Sequence, residues 1–152
     1  MKTHPCSDRQ LWISGGGNPY ERRFDFLKPV SMRSAFYQPS WELNKNHALI
    51  HYRYCVENPN DYKDYGAEEW GLTSSYSLNG YDAHRPGNDT GVISPTAALS
   101  SMPYTPEESL TFLRRLYTEK DSLVGKYGPF DAYSSEYNWY LRRYLAIDQG
   151  PI

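Results

Sequence analysis

Between Gly87 and Ser109 the chain reads GNDTGVISPTAALSSMPYTPEES, a run that leaves little freedom in how it can fold. Its opening Gly, Asn and Asp residues make a polar turn. Pro95 then starts a short helix of small residues through Ala98. Thr105, Pro106 and Glu108 stand at the N-cap, first-residue and reciprocal-capping positions of a longer helix. That helix is expected to reach about Lys120, with Leu110, Leu113, Leu116 and Tyr117 on one face. So constrained an entry from loop to helix predicts a loop held rigidly at the mouth of a site.

Elsewhere the pattern alternates between helices and long loops. Residues 1–20 read as irregular, with Ser14-Gly15-Gly16-Gly17-Asn18-Pro19 a flexible connection. A short helix is expected after Pro29. The first long helix begins near Ser40, placed as a cap after Pro39, and Trp41, Leu43, His47, Ile50 and Tyr54 recur at helical spacing to Val56. Asn58-Pro59 ends it. Residues 60–94, rich in Gly, Asp, Asn, Ser and Tyr, then read as a loop too long to be a passive linker, so the substrate-facing surface is placed there. Gly125 to Pro129 breaks the chain again, and Tyr133 to Trp139 reads as irregular with a turn near Ser134-Ser135. Asp148 to Pro151 begins a helix with almost nothing after it, so the chain reads as a piece of something larger.

Length suits one domain, and 39% apolar with 22% charged residues suits a folded one. No run approaches the roughly 18 apolar residues that span a bilayer, and the first residues lack the apolar core of a secretory signal. A net charge of −2 with scattered Lys and Arg argues against a nucleic-acid partner. Cys6 and Cys55 have no metal spacing and read as inert thiols or a single disulfide. Aromatic content is the unusual figure at 16%, with 15 Tyr. Flat apolar faces with polar rims suit sugar rings, although many such residues belong in a core.

Several polar residues are candidates for chemistry. Glu42 follows Trp41 at the start of the first helix; against an indole its carboxyl would stay protonated, or it is a first-turn Glu favoured by the helix dipole. Glu68 and Glu69 precede Trp70-Gly71, where Trp70 is a sugar platform or a buried anchor and Gly71 permits close backbone approach. Asp82, His84 and Asp89 lie in one Tyr- and Gly-rich loop, where they read sugar hydroxyls or form turns; their spacing matches no metal-ligand pattern. Asp148 and Gln149 open the terminal helix, as a cap or as substrate contacts. Gly15-Gly16-Gly17 has no following Lys and opens no helix, so it is no phosphate cradle.

Three of these segments, EEWGLTSS (Glu68 to Ser75), Gly87 to Ser109 and LAIDQGPI (Leu145 to Ile152), resemble in order and spacing the bacterial glycoamylase-like family of endo-β-1,2-glucanases and cyclic β-1,2-glucan synthase regions. The likeness runs from about Asp25 to Ile152 and is strong from about Tyr54. It implies an all-α fold, part of an (α/α)6 toroid with long loops, incomplete at both ends, over residues 21–152. It implies a glycoside hydrolase part acting on β-glucan, above all β-1,2-glucan, by carboxylate acid/base catalysis, or else a non-catalytic carbohydrate-binding remnant. Neither a metal nor an organic cofactor is implied; an oligo- or polysaccharide is. By the same resemblance Glu42 is the candidate catalytic carboxyl, and Trp70, Asp82, His84, Asp89, Thr96, Asp148 and Gln149 line the cleft. The Glu68-Glu69 doublet departs from the family, which carries one carboxylate there. The upstream half of the domain is expected to be required for folding, and action in the periplasm or outside the cell is expected.

Overall fold

The computed structural model describes residues 37–150 and 152. The expectations for residues 1–20, for a helix after Pro29 and for Cys6 lie outside them.

Helix α1 spans Tyr37–Glu57. It begins before Ser40 because Pro39 falls in the first turn, where a helix needs no backbone N–H. It ends where Asn58 takes φ 43° and its N–H bonds the Tyr54 carbonyl at 2.9 Å, a left-handed cap that Pro59 cannot extend. The inward stripe is Ala48, His51 and Cys55, while His47, Ile50 and Tyr54 flank it half-buried. Small Ala and Cys side chains let the helix approach Trp70 and Leu72 closely. Burial pushes the free Cys55 thiol up to about 12, so it is inert at neutral pH.

Helices α2 (Pro95–Ser100) and α3 (Pro106–Thr118) pack on each other beyond α1. Thr105 occupies the N-cap position, but its hydroxyl turns back to the Ser101 carbonyl at 3.1 Å instead of closing a capping box. The buried face of α3 is Ser109, Phe112 and Leu116, whereas Leu110 and Tyr117 are exposed. Ser109 sets this rotation by donating to the Ala98 carbonyl at 2.8 Å, which docks α3 on α2 through a small residue.

Gly71 fixes the approach to α2. Its φ is +136°, and an added Cβ would stand 2.4 Å from the Ser94 carbonyl oxygen. The Gly71 carbonyl in turn accepts the Ser94 N–H at 2.9 Å. Gly71→Ala is therefore expected to cost about 3 kcal/mol, from strained backbone and overlap together. A urea midpoint equal to the parent's would contradict this packing.

The described residues are not all-α. Three antiparallel hairpins stand where loops were expected: β1–β2 (Ser74–Ser77, Gly80–Ala83), β3–β4 (Val124–Gly125, Gly128–Pro129) and β5–β6 (Tyr133–Ser134, Trp139–Tyr140). In the first, Ser77 pairs with Gly80 across the two-residue turn Leu78-Asn79, and Gly80 takes φ 118° where β2 begins. Ile93 and Tyr133 exchange backbone bonds of 2.8 and 2.9 Å, tying the α2 entry to β5. A four-residue helix α4 (Ala146–Gln149) closes the chain.

Trp70, Leu72, Ile93, Phe112, Leu116, Leu123 and Tyr133 form the core. Glu69 is 1% exposed within it. One oxygen accepts Arg115 Nε at 2.6 Å; the other accepts Lys120 Nζ at 2.8 Å and the Tyr133 hydroxyl at 2.7 Å. Lys120 also bonds Asp64 at 2.6 Å. Burial pulls the Lys120 ammonium down, but its bonds to Asp64 and Glu69 more than offset that and leave it above its ordinary value. Glu68, next in sequence, stays exposed and pairs with Arg115 at the surface.

Candidate functional site

Hairpin β1–β2, the entry to α2, the segment before β5 and the start of α4 converge on two carboxyl groups. Asp131 and Asp148 are both fully buried. Asp131 Oδ2 accepts the Tyr76 N–H at 3.0 Å, and its backbone carbonyl accepts the Ser94 hydroxyl. The Asp148 carboxyl adjoins that of Asp131, and Asp131 Oδ1 and both Asp148 oxygens are buried. Two adjoining carboxylates repel each other in so dry a place, which favours a proton on one of the pair. Burial raises the Asp131 carboxyl above its usual range, partly opposed by the Tyr76 N–H and by Asp148. The pair therefore holds a proton in a dry setting, as a general acid must.

Two hollows flank the β1–β2 hairpin. At its root a cavity of about 70 Å³ is lined by His47, His51, Trp70, Ser74, His84 and Tyr104, among others. His51 Nδ1 donates to the Leu72 carbonyl at 2.9 Å. His84 is 2% exposed and shares a 3.2 Å bond between Nδ1 and the Thr90 hydroxyl. Burial holds its imidazole below its ordinary value, hence neutral. At the hairpin tip a second hollow of about 360 Å³ includes Asp89 in its wall.

The Glycoamylase family model, described as "Putative glucoamylase", matches residues 20–152. The chain belongs to this family. It is 39% identical over 155 residues to the exo β-1,2-glucooligosaccharide sophorohydrolase (non-reducing end) of Parabacteroides distasonis, covering 99% of this chain and 21% of that protein. It superposes on an endo-β-1,2-glucanase from Chitinophaga pinensis, solved with sophorotriose and glucose, at 55% identity and TM-score 0.72, over 76% of this chain and 28% of that one. A β-1,2-glucanase from Parabacteroides distasonis matches at 40% identity and TM-score 0.70, over 74% of this chain and 16% of that one. The chain thus spans less than a third of each of these three relatives.

Within this glycoamylase-family chain the residues singled out from sequence do not share one groove. Glu42 is exposed on α1, which contributes Asn44, His47, Ala48 and His51 to the root cavity instead; its neighbour Trp41 packs against Tyr104, ring centroids 4.6 Å apart. Trp70 is 1% exposed, edge-on to Tyr52 at 5.3 Å, so it anchors the core and offers no open face as a sugar platform. Asp82 sits exposed on β2, bonded to the Ala83 N–H at 2.7 Å and to Asn88 at 3.2 Å, which lower its carboxyl. Thr96 is buried beside Ser94, their hydroxyls 3.2 Å apart, and so adjoins the carboxyl pair. Gln149 donates to the Pro129 carbonyl at 2.7 Å and fastens α4 to β4. Among the described residues no group of three His, Cys, Asp or Glu is placed to hold a metal, and no helix is long and apolar enough to cross a membrane. Asp131 carries no signal in the sequence, because its partners lie 55 positions back and on another element.

Proposed function

We propose that this chain is part of a glycoside hydrolase acting on β-1,2-glucan. The observation that carries the reading is its 55% identity, over 76% of its length, to an endo-β-1,2-glucanase of the same fold. The helices and hairpins would form one arc of an (α/α)6 toroid, with the rest supplied by a longer protein.

The Asp131–Asp148 pair fills the proton-donor role in this reading. Glycosidase acid and base stand roughly 5–9.5 Å apart, on opposite sides of the scissile bond. Two adjoining carboxyls are too close to divide those roles, so they act as one unit. Asp131, whose carboxyl burial raises, is the donor, Asp148 stands beside it, and the opposing carboxylate comes from outside the described residues. The glucan reaches the pair by displacing the groups that shield it. The same proximity favours a second reading for the chain by itself, carbohydrate binding without turnover. Depolymerisation of linear β-1,2-glucan by the gene product that carries this chain tests the first reading, and binding without cleavage selects the second.

A further inference from the structure

We propose that Asn79, at the tip of hairpin β1–β2, is a modification site at which the Gly80 backbone nitrogen displaces the side-chain amide and leaves an isoaspartyl link. The reaction needs only water and no glucan, so it stands apart from the hydrolysis proposed above.

Glycine puts no side chain in the path of its own nitrogen, which makes an Asn-Gly step the easiest place for this chemistry. Asn79-Gly80 is the only such step in the sequence. The Gly80 nitrogen, once its proton has passed to solvent, attacks Asn79 Cγ. The new N–C bond forms, the Cγ–Nδ2 bond breaks, and the amide nitrogen leaves as ammonia with a proton from solvent. The cyclic imide that remains then takes up one water. Opening at the Asn79 main-chain carbonyl leaves Gly80 attached through Cγ, which is isoaspartate. Opening at Cγ gives ordinary aspartate. Nothing is oxidised or reduced on either path.

The fold exposes this step. Leu78, Asn79 and Gly80 all face solvent. Gly80 has φ +118°, and a Cβ there would meet nothing within 4 Å, so its peptide has room to turn. Ser77 holds the tip: its hydroxyl accepts the Asn79 N–H at 3.3 Å and donates to the Gly80 carbonyl at 2.9 Å. Its backbone also pairs with Gly80. Yet β1 and β2 form a sheet of their own with no third strand, and the end of such a ribbon opens at little cost. Opening frees the Gly80 nitrogen to attack.

Other asparagines are protected. Asn58 donates to the Tyr62 carbonyl at 2.8 Å and precedes Pro59, which has no N–H to lose. The Asn88 amide is bonded to Asp82 at 3.2 Å and to the Ala83 carbonyl at 2.9 Å. Asn138 precedes Trp139, whose side chain crowds the attacking nitrogen. At Asn79 the product puts a carboxylate into the wall of the hollow that already includes Asp89. The isoaspartyl link also adds a methylene to the turn that Ser77 and Gly80 close.

Peptide mapping by mass spectrometry tests this on the intact gene product, held at mildly alkaline pH beside a free peptide of residues 74–83. Residue 79 should convert to isoaspartate and aspartate, with isoaspartate in excess, before any other asparagine among residues 37–150. Conversion should quicken as pH rises, because the attacking nitrogen must lose a proton. Asn79→Gln, whose longer side chain closes a larger ring more slowly, should lose the signal over the same period. An amide still intact at residue 79 after the free peptide has converted overturns the proposal. Aspartate without isoaspartate, the mark of direct hydrolysis, overturns it as well, as does equal conversion in the Asn79→Gln variant.

Discussion

Asp131→Asn in the intact gene product is expected to lower the rate of β-1,2-glucan cleavage by about 100- to 10,000-fold, the range for loss of general acid catalysis. The introduced amide still offers an oxygen to the Tyr76 N–H, which Asp131 Oδ2 accepts at 3.0 Å. What it loses is the acidic proton that the buried carboxyl holds. Stability separates this from simple damage. Burial raises the Asp131 carboxyl in the folded chain above its ordinary 3.8. The folded state therefore keeps a proton that the unfolded state has released. Stability from this group is complete below about 3.8 and is lost as pH climbs through the raised value. An amide in its place never ionises, so the variant should match or exceed the parent in urea midpoint at pH 7 while remaining inactive. An active variant, or one that is inactive because it unfolds, contradicts the assignment.

Glu69→Gln is expected to destabilise the fold by about 3 kcal/mol, the lower part of the range for breaking a buried ion pair. The lower part applies because Lys120 keeps Asp64 and Arg115 keeps Glu68. Glu68→Gln should cost under about 1 kcal/mol, since that side chain is 61% exposed and its pair is screened by water. Denaturant titration of both variants reads the difference directly. Equal losses would mean that the adjacent glutamates are not divided between core and surface. Pairing Glu69→Gln with Lys120→Met should cost less than the sum, by about 1 kcal/mol or more, because the two share one contact.

The helices could be read from the chain because their ends are marked locally. Pro95, Pro106 and the Asn58-Pro59 step act on their own neighbours, and the structure places boundaries within a few residues of each. Faces were harder. Ser109 is a buried docking residue on α3, yet a search for apolar periodicity passes over it and settles on Leu110 and Tyr117, which face solvent. The hairpins were missed because β1 is SSYS and β2 is GYDA, too short and polar to alternate, although Asn79-Gly80 was a usable turn signal. Close approach at Gly71 was anticipated, and its contact with Ser94 bears that out. Asp148 is a candidate in the sequence, but its pairing is not legible there, since Asp131 acquires its meaning only when β1 and α4 are folded against it.

Product analysis on linear β-1,2-glucan, with β-1,3- and β-1,4-glucans as controls, bears most directly on the claim that this chain is part of a β-1,2-glucan hydrolase. The gene product that carries it should shorten the β-1,2-linked polymer alone, and Asp131→Asn should stop that while leaving oligosaccharide binding in place. Cleavage of a control glucan in preference, or firm binding of β-1,2-glucan with no shortening by the unmodified protein, would contradict it.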